Sequence, residues 1–479
     1  MTTSELFFSS AYSFIVLMAA LGAVLFFAVL LNAEKHYGKW TQPLLIPIIA
    51  TGICLSSLLS GRNLQNIAND LTQGLEGADG DSSLLLRILT LMILGISLAR
   101  ISGQWLRKNN EPPAIGSAVF FSFSAYFISH TLLNGFLGTQ PTFAHNILYS
   151  LAIFAAINAS RRESLAQTIS FAKIALFSLM ALSLLAAVLM PNLAYESGYR
   201  GWIPGLSIRL WGVGSNANSI GPLALVALLL EYMQPYKKRW LHWLVSLVTV
   251  CVFILAQSKT VWFAAVVIVF VLAWYRMTKP KRGIDIRLLL LLIGVTSLAL
   301  LSILFLDPIS IIEKITRTKE GSQVATLTGR NQIWAVAINE WWNSPIFGYG
   351  PEIWGVAYRA RIGMSFATSA HNQFLQSLSA AGLVGLVTLL IYLFLLGRNA
   401  LRAAPNTKGV SAGLFLLVLM RCISETPLTL STLFNGDLLT HILLFALCIG
   451  NNGGPIRDST GKDFISNNEV NKKTWQPVS

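Results

Sequence analysis

The sequence predicts an all-α polytopic membrane protein of 12 or 13 transmembrane helices, with one long ordered periplasmic loop. Three observations carry that expectation. Hydrophobic residues make up 54% of the 479-residue chain and charged residues 12%, about half the charged share of a soluble domain. Uncharged apolar runs of the roughly 20 residues needed to cross a bilayer recur along the chain. The linkers between these runs alternate between basic and poorly charged, as the positive-inside trend requires. The same composition excludes a disordered chain, a coiled coil, a collagen and a secreted disulfide scaffold.

Spans are expected near 12–32, 43–60, 83–101, 114–135, 143–159, 169–190, 217–233, 240–257, 260–276, 287–306, 374–397, 409–424 and 430–450. Basic linkers hold Lys35/Lys39, Arg107/Lys108, Arg161/Arg162, Lys237/Lys238/Arg239, Arg276/Lys279/Lys281/Arg282 and Arg398/Arg402/Lys408, which assigns them to the cytoplasm. The opposite side then receives 61–82, 136–142, 191–216, the turn Gln257-Ser258-Lys259, 307–373 and 425–429. The N-terminus has no positive n-region and no small-residue cleavage site, so no removable signal peptide is expected. Thirteen spans place the N-terminus outside and the C-terminus inside. The expected organisation is an N-terminal transmembrane bundle over 1–306 and a periplasmic loop with interfacial helices over 307–373. C-terminal transmembrane helices follow over 374–450, then a polar cytoplasmic tail over 451–479 whose composition is that of a disordered segment.

Charge and cysteine usage narrow the chemistry. The net charge of +14 would suggest nucleic acid in a soluble protein; here basic cytoplasmic loops account for it, and no nucleic-acid partner is expected. Cys54, Cys251, Cys422 and Cys448 stand singly inside apolar segments, so neither a disulfide framework nor a zinc site is indicated. No P-loop, Gly-x-Ser-x-Gly, His-Glu-x-x-His or dinucleotide fingerprint occurs in a suitable context. Asp79-Gly80-Asp81 mimics the Asp-x-Asp by which many glycosyltransferases hold a metal-bound nucleotide sugar. As three residues in an Asp/Gly-rich loop it is a weak pattern.

The long outer loop is the informative segment. After a polar stretch it reads Thr328-Gly329-Arg330-Asn331-Gln332-Ile333-Trp334. Ile333, Ala337 and Trp341 recur at four-residue steps, an apolar helical face of the Trp-rich kind that lies in a membrane interface. Helix-breaking punctuation follows at Asn343-Ser344-Pro345 and Phe347-Gly348-Tyr349-Gly350-Pro351. The loop returns to the membrane through Ser369-Ala370-His371-Asn372.

Cations gather at the outer span ends against the topological trend: Arg200 and Arg209 in loop 191–216, Lys259 in its short turn, and Arg330 at a helix start. Headgroup contact or snorkelling would explain any one of them alone. Together they suit an anion beside apolar helices, a lipid phosphate or pyrophosphate. His371 is the candidate proton acceptor, because an imidazole titrates near neutrality. His130 and His145 also lie near outer span ends, and His145-Asn146 repeats the His-Asn dipeptide. Two further spacings of four read as pairs: Asp437 with His441 inside the last span, and Arg421 with Glu425 at an outer helix end, where a buried pair can equally line a substrate path.

These residues resemble the O-antigen ligase and polymerase superfamily of bacterial integral membrane proteins. The ordered motif is Thr328-Gly329-Arg330-x3-Trp334, Pro345-Ile346-Phe347-Gly348-Tyr349-Gly350, His371-Asn372-x2-Leu375 and Gly382-Leu383-x-Gly385. Weaker matches are Arg209-x2-Gly212…Asn218-x2-Gly221, and Ser258-Lys259-Thr260 where the family usually has Ser-Arg-Thr. The family commonly has twelve spans. The resemblance implies metal-independent, inverting glycosyl transfer at the periplasmic face of the inner membrane, from an undecaprenyl-pyrophosphate-linked glycan and with no cofactor. It implies that Arg330 and Arg209 contact the pyrophosphate and that His371 assists or positions the acceptor hydroxyl. Lys259, Arg200, Asn218 and Asn372 join them as substrate-binding candidates. Lys259 keeps the charge of the family arginine but not its bidentate fork. The implied partners are the lipid-linked oligosaccharide, an acceptor glycan (a lipid-linked repeat or lipid A-core), membrane lipids, a flippase and a chain-length regulator. The Trp334 block, Arg421-x3-Glu425 and the chain length resemble polymerases slightly more than ligases. A lipid-linked glycan transporter is the competing class, although the inverted repeats usual in transporters are not found.

Overall fold

The computed structural model describes residues 3–66, 83–106, 117–143, 148–159, 164–199, 201, 203, 205–277, 330–364, 367–428, 430 and 432–449. The span expected at 287–306, the tail 451–479, and Asp79, Asp81, His145 and Arg200 lie outside these residues.

The chain is an all-α multi-pass membrane protein. Among the described residues, six helical segments are long and apolar enough to cross a bilayer: Val16–Tyr37, Trp40–Leu59, Leu84–Gln104, Leu165–Leu189, Lys259–Arg276 and Gln373–Thr407. Five shorter apolar helices stand with them, at Leu148–Asn158, Ala217–Met233, Arg239–Leu255, Val410–Ser424 and Gly436–Ile449. The first two expected spans are two helices that meet directly at a kink at Tyr37 (φ −124, ψ 24) within the stretch Thr3–Leu59. The basic linker expected between them is therefore a kink and not a loop. The span expected at 114–135 is the helix Ser117–Ile128 continued through a π turn, Ser129–Leu133, that carries His130. Charges inside the bundle are paired, as a low dielectric requires: Arg100 with Glu34 at 3.4 Å and Lys173 with Glu231 at 2.9 Å.

One sheet feature was not expected. Strands Tyr195–Ser197 and Ile208–Leu210 pair antiparallel, with Glu196 opposite Arg209. They rise from the segment between Leu189 and Ala217 and present Arg209 from a fixed ladder.

The segments assigned to the outer side meet at one end of the bundle. Arg209 Nε donates to the Ala256 carbonyl at 3.4 Å, Arg330 Nη1 to the Ser424 carbonyl at 2.6 Å, and Thr139 N to the Gly348 carbonyl at 3.2 Å. Linkers assigned to the inner side meet elsewhere, where Lys408 Nζ donates to the Met233 carbonyl at 2.9 Å. The sidedness has a direct test in a background without the native cysteines. A membrane-impermeant maleimide is expected to label Gln332→Cys in intact cells and to spare Lys238→Cys. The opposite pattern would reverse the orientation and the location of the site together.

The loop that ends at Ala370 has a small core of Ile333, Ala337, Tyr349, Ile353, Trp354, Tyr358, Ala367 and Ala370, joined by Ala380 of the next helix. Its helix Arg330–Asn343 buries Ile333 and Ala337, and leaves Ile338 and Trp342 41% and 68% exposed. The break that follows is stitched into the next membrane helix, Gln373–Ala403, at its own break, Gly382 (φ 63, ψ −158). There Leu383 N donates to the Pro345 carbonyl at 2.8 Å, Val384 N to Ile346 at 3.2 Å, and Tyr349 N to Ser379 at 2.8 Å. Any Cβ at Gly382 would lie 2.3 Å from the Ile346 backbone, so only glycine allows this approach.

Candidate functional site

The centre of the outer end is a carboxylate, Glu425, in the turn after the helix Val410–Ser424. Its Oε1 accepts from Arg330 Nη2 at 3.1 Å and from Asn218 Nδ2 at 2.9 Å. Its Oε2 pairs with His371 Nδ1 at 3.1 Å. Asn218 Oδ1 in turn accepts from Arg209 Nη2 at 2.8 Å and from Ser258 Oγ at 3.4 Å. Residues from five separate stretches, 209–218, 258–260, 330–334, 371–372 and 421–425, therefore share one network. Its members remain reachable: the side chains of Arg330, Glu425 and His371 are 19%, 16% and 26% exposed.

Local structure explains how each group is held. Arg330 opens the helix Arg330–Asn343. Four residues on, Trp334 Nε1 donates to the Ala370 carbonyl at 3.0 Å, which ties this helix to the residue before His371. His371 adopts a left-handed backbone (φ 46), a conformation that costs about 1–3 kcal/mol outside glycine. It is held there from both sides. Gln376 Oε1 accepts from Ala370 N at 2.9 Å, and Asn372 Oδ1 caps the next helix by accepting from Phe374 N and Leu375 N at 3.0 Å each. Asn372 Nδ2 also donates to the Ile423 carbonyl at 3.1 Å. The His-Asn dipeptide thus divides its labour: the asparagine caps and anchors, and the histidine is turned toward Glu425.

Arg209 leaves the short sheet with its guanidinium 4.7 Å from the Tyr199 ring. Lys259 begins the helix Lys259–Met277, near enough to Arg209 for the two charges to repel. Gln257, two residues earlier, is the second site residue with a left-handed backbone (φ 47). Thr260 Oγ1 and Ser424 Oγ share a hydrogen bond at 3.0 Å, which brings the Ser-Lys-Thr turn beside the Glu425 turn.

Electrostatics follow from this arrangement. Burial pushes the Glu425 carboxyl up, but the His371 hydrogen bond and charge, with Arg330 and Arg421, outweigh it and hold the carboxyl below its ordinary range. Glu425 is therefore ionised at neutral pH. Arg330 bonds this carboxylate directly and Arg209 reaches it through Asn218, so two guanidiniums share one carboxylate in this network, an arrangement that suits a further anion. Arg421 adds no third, because Asp437 takes both arms of its guanidinium.

Two expected pairs are corrected. Arg421 pairs with Asp437 across helices, and its Nη2 also donates to the Asn218 carbonyl at 2.9 Å. Glu425 is consequently released to Arg330 and His371. His441 bonds to Tyr392 Oη, not to Asp437. A spacing of four allows a contact within one helix, but carboxylates at these helix ends find better-placed cations on neighbouring elements.

Of the expected site residues, Arg209, Asn218, Lys259, Arg330, His371 and Asn372 converge, while Arg200 lies outside the described residues. His130 is elsewhere, half-buried in its π turn with Nδ1 against the Tyr126 carbonyl at 3.0 Å. Glu425 is the residue that sequence reasoning misassigned; an acidic side chain at the outer end of an apolar helix was the available signal. Among the described residues no group of three His, Cys, Asp or Glu side chains could hold a metal ion.

Residues 244–390 match a family model described as O-antigen ligase, in support of the superfamily that the motifs resemble. The match includes Ser258-Lys259-Thr260, Arg330, Trp334, His371 and Gly382; Arg209, Asn218 and Glu425 lie beyond its ends. No curated protein matches the chain.

Proposed function

We propose that this multi-pass membrane protein, which carries an O-antigen ligase domain over residues 244–390, transfers a glycan from an undecaprenyl-pyrophosphate carrier to a sugar hydroxyl at the periplasmic face of the bacterial inner membrane. The preferred acceptor is another lipid-linked repeat, so that the reaction polymerises O-antigen or exopolysaccharide. The observation that carries this reading is Glu425, held by Arg330 and Asn218 on one oxygen and by His371 on the other.

The chemistry builds on those contacts. Charge grows on the pyrophosphate as its bond to the anomeric carbon breaks. Arg209, Lys259 and Arg330 supply fixed cations for that charge, which is most effective when it is preorganised. Glu425 serves as counter-ion to Arg330 until donor phosphates engage the free face of the guanidinium. An ionised Glu425 accepts from His371 Nδ1–H, which leaves Nε2 as the proton-accepting nitrogen. The acceptor oxygen attacks the anomeric carbon opposite the pyrophosphate, and its proton passes to Nε2. The bonding pair departs on the pyrophosphate, and the configuration inverts. The carboxylate orients the imidazole and stabilises its protonated form, as in other acid–base dyads.

A second acceptor, lipid A-core, is favoured by the description of the matched family, O-antigen ligase. Purified protein given lipid-linked oligosaccharide alone is expected to yield a ladder of longer glycans on gels. Product formed only when lipid A-core is added would establish the ligase instead, and no product in either case would end both readings. The reaction is expected to survive EDTA, and Asp79→Ala with Asp81→Ala to leave it nearly unchanged. Strict dependence on added Mg²⁺ or Mn²⁺ would contradict transfer driven by protein cations alone.

A further inference from the structure

Arg62 lies in none of the motifs and outside the matched segment, yet it makes more carbonyl contacts than Arg209 or Arg330. It follows the helix Thr3–Leu59, and its guanidinium reaches across to the segment that carries Arg209. Nε donates to the Leu193 carbonyl at 2.9 Å and Nη2 to the Gly212 carbonyl at 2.7 Å. Nη1 donates to the Gly214 carbonyl at 2.7 Å and to the Ser215 carbonyl at 3.0 Å. These oxygens have particular positions. Leu193 comes just before the strand Tyr195–Ser197 and Gly212 just after the strand Ile208–Leu210, so one planar group clasps both ends of the hairpin base. Gly214 and Ser215 lead directly into the helix that carries Asn218.

Surrounding contacts make the clasp a built feature. Ser57 Oγ donates to the same Gly214 carbonyl at 2.7 Å, Gln65 Nε2 donates to the Tyr195 carbonyl at 3.3 Å, and the guanidinium lies 5.5 Å from the Trp211 ring. Gly212 has φ 57, and a Cβ there would lie 2.3 Å from Ser183 Oγ, so the backbone bends to offer its carbonyl where only glycine fits. Burial pushes the Arg62 guanidinium down to about 10, which still leaves it charged at neutral pH.

We propose that Arg62 is a positioning residue for glycan transfer: by clasping the carbonyls of Leu193, Gly212, Gly214 and Ser215 it sets where Arg209 and Asn218 stand relative to Arg330 and Glu425. Arg209 is three residues from Gly212, and Asn218 is three residues from Ser215. A slack hairpin would therefore move both groups at once. Lysine cannot replace the clasp, since a single ammonium has no planar fork to span diverging carbonyls. Misplacement of catalytic groups by about 1 Å can cost about a hundredfold in rate.

The proposal rests on the transfer reading for its consequence but not for its geometry, and two measurements on the full-length protein separate them. Hydrogen exchange in detergent is expected to show Arg62→Lys losing protection over 193–216, where Trp211 N and Gly212 N bond to the Ala194 carbonyl. The helices Ser164–Leu189 and Ala217–Met233 should keep theirs. Transfer from lipid-linked oligosaccharide should fall about a hundredfold, with the donor KM raised; a loss of folded protein alone would lower kcat and leave KM unchanged. Ser57→Ala, which removes one donor and keeps the guanidinium, should show a weaker form of both changes and serves if Arg62→Lys fails to insert. Unchanged protection over 193–216 would overturn the clasp whatever the protein catalyses. Lost protection with unchanged transfer would overturn its role in the reaction, and Arg209→Ala in the same assay reports separately whether the transfer reading holds.

Discussion

Arg330→Ala is expected to reduce glycan transfer at least a hundredfold while the protein still inserts and extracts normally. The magnitude is that of removing one preorganised donor from a developing anion, about 10²–10³ in rate. The geometry argues for loss at the upper end. One arm of the guanidinium holds the Ser424 carbonyl at 2.6 Å and the other the Glu425 carboxylate at 3.1 Å, so the same side chain organises the turn and, in the proposed reaction, meets the donor. Arg330→Lys is expected to recover little, because an ammonium cannot serve both directions and the phosphate together. Gel analysis of products from purified variants reads this directly. Full activity in Arg330→Ala would remove the cationic clamp from the mechanism.

His371→Ala is expected to leave about a hundredth of the activity or less, the usual contribution of a general base. His145→Ala, with the same dipeptide but outside the described residues, should leave most of it. Both variants must match the parent in extraction and thermal stability for the comparison to hold. The pH profile adds an independent handle. Folding holds the Glu425 carboxyl below its ordinary range, so its stabilising contacts are complete above that range and are lost only as the pH falls through the lowered value. Transfer and thermal stability are therefore both expected to hold through the ordinary carboxylate range and to fall together below it, and Glu425→Gln should remove that shared limb. An active His371→Gln would show that the residue only positions the acceptor.

The fold was legible where period and charge carry it. Apolar runs predicted the helices Ala217–Met233, Arg239–Leu255, Lys259–Met277 and Val410–Ser424 closely but ended short of Gln373–Ala403, and the four-residue steps from Ile333 predicted the helix Arg330–Asn343. Spacing along one chain could not show which helix ends meet. Arg421 and Glu425 are one turn apart, so a pair between them was the natural reading, yet Asp437 and Arg330 arrive from other elements and divide them. Gly382 and the Phe347–Gly350 stretch were each visible as punctuation, but the pairing of the two breaks is a tertiary event. The strands around Arg209 were too short for any alternation to register. Arg62 gave no signal, because carbonyl partners leave no trace in residue type.

On the proposed reading, the pyrophosphate of a lipid-linked donor sits among Arg209, Lys259, Arg330 and Glu425. A lipid-linked oligosaccharide with a photoreactive group beside its pyrophosphate tests this most directly, with the inactive His371→Ala protein in membranes and cross-linked peptides identified by mass spectrometry. Adducts are expected within 209–218, 258–260, 330–334 and 421–425, and unlabelled donor should compete them away. Competed adducts confined to the opposite end of the bundle, around 234–242 and 404–410, would contradict that placement.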